Sequence, residues 1–349
     1  MITAIEFDGF RGIKTGALRD LSKLVVLLGK NSSGKSTILD GLLIGASTRP
    51  VDAIGRAVRR RMTNGSSASW LVYRRIGKAT IIVAGAEATT SRGVRRKTTL
   101  QWSESRGEQP DRNNLLGDIR ARIEGVPGST PLEARVSFFA DNKYQPVIEV
   151  QPRDAEFQKS TGPIRLIDMR GVAAGNVEVD RPLTEAKANG RMHVALDFLR
   201  VVVPDLQNLE ILKPSESYEV FMIHSDSAVP LAMAGDGIRG IVRLCLELAA
   251  TNDGTVLLEE PEVHQHPASL RQSAQIIVEA VRRGIQVIMT THSLELIDAL
   301  ASAAADSKEN ILSELKVERV ELNAGVLTTT SFRGEEVARM RNDLEMELR

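Results

Sequence analysis

Cysteine is all but missing from this sequence: Cys245 is the single copy in 349 residues. One thiol excludes an internal disulfide and any multi-cysteine zinc site, and its place in an apolar helical pattern reads as a core thiol. Long apolar runs are lacking as well, since no stretch reaches the roughly 20 residues that a bilayer-spanning helix requires. The opening residues, Met1-Ile2-Thr3-Ala4-Ile5-Glu6, lack the basic region and apolar segment of a secretory leader. No internal repeat, low-complexity tract or sustained heptad pattern is present, which excludes solenoids and long coiled coils. These absences lead us to expect a protein of the reducing cytoplasm with no membrane attachment.

Net charge is absent too, with 45 basic and 45 acidic residues, but the charges are unevenly spread. Residues 1–130 hold 22 Lys/Arg against 11 Asp/Glu, a surplus of +11 that the remainder balances. Arg56, Arg59, Arg60 and Arg61 form one basic cluster, and Arg92, Arg95, Arg96 and Lys97 form another. Such clusters can neutralise nucleic-acid phosphates or dock an acidic partner; a solvated face is the plainer reading.

What is present is a chain long enough for two lobes or one large elaborated domain. Leu24-Val25-Val26-Leu27-Leu28 is a continuous apolar run halted by Gly29, as expected of a strand buried on both faces. After a loop, Ile38, Leu39, Leu42, Leu43 and Ala46 recur at helical spacing. Residues 48–70 are polar and basic, with Asn64-Gly65-Ser66-Ser67 marking a loop or exposed tip. Short β-rich pieces follow up to Val150, punctuated by turn residues, and predict an antiparallel sheet. Residues 181–203 read as one helix. Helices and buried strands then alternate: 238–250, Val256–Leu258, 270–281, Ile285–Thr290 and Leu294–Leu300. Alternation of this kind predicts an α/β sheet whose ligands gather at the carboxyl ends of its strands.

The phosphate chemistry begins at Gly29-Lys30-Asn31-Ser32-Ser33-Gly34-Lys35-Ser36, followed by Thr37. Its two glycines let successive backbone N–H groups turn inward on the β- and γ-phosphates. Lys35 brings a charge to the same oxygens, and the Ser36 hydroxyl is a magnesium ligand. The loop lies between a predicted strand and helix, as this mechanism demands, so ATP with magnesium is the expected ligand. At the end of a second buried strand, Glu259 and Glu260 can supply a metal-side carboxylate and a base for the attacking water. The plainer reading is an exposed acidic pair opening a helix. His292 follows a third buried strand, where an imidazole can reach the γ-phosphate, although a lone histidine is more often structural. Gly235-Asp236-Gly237 precedes an apolar-faced helix and leaves N–H groups bare for an anion, but is also a common turn. His264 and His266 lack a third ligand, which favours a structural role.

In this order and spacing the motifs resemble the ABC-type ATPases of the RecF/SMC/overcoming-lysogenization-defect group. Phe10-Arg11-Gly12 looks like the group's N-terminal element, which makes Arg11 a candidate nucleotide contact. Leu257 through Pro267 is similar to its Glu-Glu-Pro-Glu-x-His-x-His-Pro segment, Gly235–Gly237 to its signature, and His292 to its switch histidine. The ending from Phe332 to Arg349 is similar to that of small stand-alone members.

The resemblance implies an α/β P-loop NTPase fold, an ABC-ATPase head with two lobes. One lobe would be a mixed sheet around the phosphate-loop helix with an antiparallel β-rich section; the other would be a helical signature lobe. The expected segments are 1–175, 176–252 and 253–349 within one ATPase domain. It further implies a head-to-tail homodimer with ATP at the interface, each Gly235–Gly237 completing the opposite site. DNA, and an effector or nuclease supplied in trans, are the partners expected, since the residues after His292 leave no room for a topoisomerase-primase nuclease domain. Two departures, Glu259 where the group has aspartate and Ala234 where transporter ATPases have serine, lead us to expect slow hydrolysis. The alternative is an ATP-binding scaffold with little turnover.

Overall fold

A computed structural model describes residues 1–60, 65–87, 90–104, 115–125, 130–141, 143–150, 163–169, 179–214, 216–263, 265–307 and 309–342. Its spine is a 13-stranded sheet in the order β8-β7-β6-β5-β4-β1-β2-β16-β15-β3-β14-β13-β9. The strands are β1 (Ile2–Phe10), β2 (Ile13–Leu18), β3 (Leu24–Leu28), β4 (Lys78–Glu87), β5 (Thr90–Glu104), β6 (Leu115–Glu124), β7 (Leu132–Phe139), β8 (Tyr144–Val150), β9 (Ile164–Asp168), β13 (Thr255–Glu259), β14 (Gln286–Thr291), β15 (Leu315–Asn323) and β16 (Val326–Arg333). A separate antiparallel sheet holds β10 (Asn208–Leu212), β11 (Glu219–Ile223) and β12 (Ala228–Pro230).

From β15 to β9 the neighbours run parallel, and from β1 to β8 they run antiparallel. The β-rich section expected from the sequence is therefore continuous with the nucleotide-type sheet rather than a sheet of its own.

β3 is apolar throughout, and β13 and β14 are apolar in their middles, because helices cover both of their faces. Leu24, Val26 and Leu28 enter one core, while Val25 and Leu27 enter the other. β13 and β14 divide likewise, with Val256, Leu258, Val287 and Met289 opposite Leu257 and Ile288. On the Val25 side lie α1 (Lys35–Ala46) and α2 (Pro50–Arg59). The Leu24 side carries α3 (Asp180–Ala188), α4 (Met192–Leu199), α5 (Asp236–Ala250), α6 (Pro267–Arg282) and α7 (Leu294–Ala305), with α8 (Gly334–Asn342) beside α7. Cys245 is buried in this core, where loss of hydration pushes its thiol up.

α1 lies close against the strands through two glycines one turn apart. A β-carbon at Gly41 would fall 2.3 Å from Phe7 Cε1, and one at Gly45 2.6 Å from Val83 Cγ2.

Several local expectations are corrected. Residues 50–59, for which no element was expected, form a helix: Val51, Ile54 and Val58 make a buried stripe, Pro50 opens it, and Asp52 lies in its first turn. The single helix expected over 181–203 is two, interrupted at Gly190, which takes φ 66°. Two members of the basic clusters are withdrawn from the surface. Arg96 is 1% exposed and donates to the Ser47 carbonyl at 2.6 Å; burial lowers its pKa to about 10. Arg60 turns into the site described below. Arg61 and His264 lie outside the described residues, and Arg92 lies in β5.

Candidate functional site

The connection between β3 and α1 is shaped by two glycines. Gly29 takes φ 155°, and a β-carbon there would meet the Val320 carbonyl oxygen at 2.5 Å and Ser33 Oγ at 2.8 Å, so no larger residue fits. Gly34 takes φ 95°, the left-handed region that glycine tolerates best, and caps α1 without any side-chain bond. The first N–H groups of α1 thus have no capping side chain, an arrangement suited to an anion. Lys30, Asn31 and Ser32 form the exposed crest, while Ser33 is buried, and Ser36 and Thr37 stand half-buried in the first turn of α1.

Lys35 folds back over this loop. Its Nζ donates to the Gly29 carbonyl at 2.6 Å and the Lys30 carbonyl at 3.0 Å. Burial lowers its pKa, against an upward pull from Glu260, Glu262 and Glu259 in that order. The loop lysine therefore lies within the field of the three carboxylates that follow β13.

Parallel register explains how they meet. Glu259 is level with Thr290, and Thr290 and Thr291 are level with Leu27 and Leu28, so β13, β14 and β3 end in one row. Glu260, just past that row, is a non-glycine residue at φ 47°. It is held there by its N–H, which donates to the Thr290 carbonyl at 3.1 Å. Backbone in this region is strained, and such strain gathers at functional sites. The Glu260 carboxylate lies 3.4 Å from His292 Nε2, joining two residues singled out from sequence. Glu262, which sequence reasoning missed as a site residue, accepts from Thr291 Oγ1 at 2.6 Å and from the His292 N–H at 2.8 Å.

Glu259, expected on the magnesium side, is engaged by an arginine here. It is 0% exposed and bonded to Arg60 Nη1, which also lies 3.2 Å from Asp168 Oδ2. Asp168 is paired with Glu259 in the parallel register of β9 and β13. Arg60 Nε donates to Asp40 Oδ1 at 2.8 Å. Burial draws the Arg60 pKa down, but Asp40 and Glu259 outweigh it and the net shift is upward. Among the expected metal ligands, Ser36 is placed beside the loop as required, whereas a guanidinium sits on Glu259.

Arg11 joins the same network rather than the loop: its Nη2 donates to the Ala57 carbonyl at 2.9 Å and lies 3.2 Å from Asp40 Oδ2. A usable signal for this cluster was Asp40 itself, a carboxylate in the apolar pattern of α1. Gly235 caps α5 without a side-chain bond, and Asp236 is paired with Arg239 of its own helix. His266 is structural, its Nδ1 accepting from the Ala268 N–H at 3.3 Å as the cap of α6.

Parallel strands with a glycine-bounded loop lysine, and with carboxylates and a histidine at the same strand ends, define a P-loop ATPase. The chain belongs to the family described as "AAA domain, putative AbiEii toxin, Type IV TA system", whose profile matches residues 24–298. It is 19% identical over 340 residues to an ATP/GTP phosphatase of Helicobacter pylori, covering 86% of this chain and 87% of that one. An uncharacterized protein of Methanocaldococcus jannaschii is 34% identical over 116 residues, which are 33% of this chain and 98% of the relative. Among solved structures, an SMC head bound to the C-terminal winged-helix domain of ScpA superposes with a TM-score of 0.54 at 14% identity, covering 99% of each chain. An Smc head with an extended coiled coil, bound to the C-terminal domain of ScpA derived from Pyrococcus furiosus, gives 0.50 at 13% identity and again 99% of each. These two likenesses concern the fold. No helix among the described residues is long and apolar enough to cross a membrane.

Proposed function

We propose that the protein is an ATP-gated dimeric switch that hydrolyses ATP slowly and acts on or beside DNA, in repair or phage defence. The observation that carries this reading is the Glu260–His292 pair, 3.4 Å apart, next to the loop lysine. Glu260 is the base for the attacking water, and His292 holds the γ-phosphate end of the nucleotide. Lys35 turns from the loop carbonyls to the β- and γ-phosphates, Gly29 through Thr37 supply N–H and hydroxyl donors, and magnesium accompanies the nucleotide.

Segments 1–175, 176–252 and 253–349 work as one ATPase domain, since strands of the first and last alternate in one sheet. Gly235–Gly237 of a second copy completes each site, and the uncapped start of α5 supports that role. Arg11 acts on the nucleotide indirectly, through Asp40 of α1. The compartment is the cytoplasm, and a nuclease or other effector is supplied by another chain. The surplus of +11 over residues 1–130 supports a nucleic-acid partner.

Steady-state phosphate release with and without duplex DNA tests this reading. Stimulation of tenfold or more that declines with salt supports it. A second reading, a scaffold that holds ATP with little turnover, is favoured by the engagement of Glu259 with Arg60. A nucleotide retained unhydrolysed, with or without DNA, would select it.

A further inference from the structure

Arg60 is the side chain that the expected nucleotide machinery does not account for. In sequence it is one of four arginines of a basic cluster, but its exposed neighbours Arg56 and Arg59 behave differently. Arg59 lies over the Tyr144 ring at 5.7 Å, whereas the Arg60 side chain is only 12% exposed. Three carboxylates from three separate elements converge on it: Asp40 from α1, Asp168 from the end of β9 and Glu259 from the end of β13. Asp40 and Glu259 have fully buried side chains, and Asp168 is 23% exposed. A buried carboxylate needs a paired charge or several hydrogen bonds, and the guanidinium fork can serve more than one at once.

We propose that Glu259 is the counter-charge that seats Arg60, not a ligand of the nucleotide's magnesium, and that Arg60 is a positioning residue tying α2 to the ends of β9 and β13. Two features carry this beyond the pairing itself. The first is the convergence of two level carboxylates on one nitrogen. Asp168 and Glu259 are level in the sheet, and both side chains reach the same Nη1. The second is Asp40, five residues beyond the loop lysine. Arg60 Nε donates to its Oδ1 and Arg11 Nη2 lies by its Oδ2, so both arginines hold α1 to the segments beside it. The seat thereby fixes the phosphate loop's helix against the strand that delivers Glu260. It rests on the proposed nucleotide site only for its functional consequence; the ion-pair seat stands or falls separately.

The experiment uses the full chain with Mn2+ and a non-hydrolysable ATP analogue, read by electron paramagnetic resonance, beside thermal melting in metal-free, nucleotide-free buffer. For Glu259→Gln the proposal expects Mn2+ affinity within about threefold of the parent and a lowered metal-free melting temperature. A tenfold or greater loss of Mn2+ affinity, or an unchanged or raised melting temperature, overturns it. Should that variant not fold, Arg60→Lys decides: it keeps the charge and loses the fork. A lowered melting temperature with unchanged Mn2+ affinity supports the seat. A rise in Mn2+ affinity of threefold or more shows that Arg60 had been competing for a metal ligand, and overturns it. A parent protein that binds no Mn2+–nucleotide refutes the functional reading, and the metal-free melting of the same variants then decides on the seat.

Discussion

Glu262 holds His292 by its backbone, not by its ring. One carboxylate oxygen of Glu262 accepts both the Thr291 hydroxyl at 2.6 Å and the His292 N–H at 2.8 Å. The imidazole is left to face Glu260 across 3.4 Å. The segment after β13 and the end of β14 are thus locked together two residues beyond Glu260, the proposed base, and the position of His292 depends on a residue that need not touch the nucleotide.

Replacing Glu262 with Ala is expected to lower kcat by roughly 10- to 100-fold, because small displacements of a reacting group carry penalties of that order. Nucleotide affinity should change less than about threefold, since the hydrogen-bond partners of Glu262 are Thr291 and His292 and only its field reaches Lys35. Single-turnover hydrolysis together with fluorescent-nucleotide titration checks this. A loss of affinity with unchanged kcat would place Glu262 in binding instead.

Lys35 poses a different case, in which function opposes stability. Burial lowers its pKa in the folded chain, so the fold binds its proton less well than the unfolded chain does. Stability linked to Lys35 therefore rises as pH climbs from the lowered folded value toward the ordinary lysine range, and at neutral pH the charge is a net cost. Lys35→Met should abolish ATP binding and raise the nucleotide-free melting temperature by roughly 1–3 °C. Calorimetry of both proteins without nucleotide reads the second effect, and a fall in melting temperature would contradict it.

The parts of this site that could be read in the sequence are those fixed by local pattern. β3, β13 and β14 are unbroken apolar runs because both faces are covered, and Lys35, Glu260 and His292 each follow one of them closely. The rest is tertiary. Asp40, Arg60, Asp168 and Glu259 are far apart in the chain, and nothing in the run around Arg60 distinguishes it from Arg56 or Arg59 until the side chains are placed. α2 was hidden for a related reason: its buried stripe of Val51, Ile54 and Val58 is interleaved with charges that make the stretch read as polar and basic. Glu262 passed unnoticed because its partners are backbone and hydroxyl donors, which carry no signature of their own.

The close approach of α1 to the sheet makes a test of packing against propensity. Ala at a helix-interior glycine ordinarily gains about 0.5–1 kcal/mol. At Gly45 the added carbon would lie 2.6 Å from Val83 Cγ2 and 2.9 Å from Ile81 Cγ2, inside a filled core. Overpacking of this kind costs about 1–3 kcal/mol, so Gly45→Ala should be destabilising by about 1–2 kcal/mol net. Urea unfolding monitored by circular dichroism gives the answer, and a higher midpoint for the variant would show that α1 has room to withdraw.

Glu260→Gln separates the chemical step from the gate. The amide keeps the shape and the acceptor oxygen facing His292 but cannot take a proton from water, so binding should persist while turnover falls by 100-fold or more. If the nucleotide joins two copies, each contributing the uncapped start of α5, the variant should accumulate as a dimer in ATP and return to monomer when nucleotide is removed. Light scattering coupled to size exclusion measures this directly. A variant that saturates with ATP and stays monomeric would end the dimer mechanism while leaving the nucleotide site intact. Adding Gly235→Glu then locates the interface: the position has open space for a side chain, and it places a carboxylate at the helix start that is proposed to meet the partner's nucleotide, whose phosphates it repels. A dimer disrupted by it, with nucleotide affinity per chain preserved, identifies the Gly235–Gly237 turn as the joining surface.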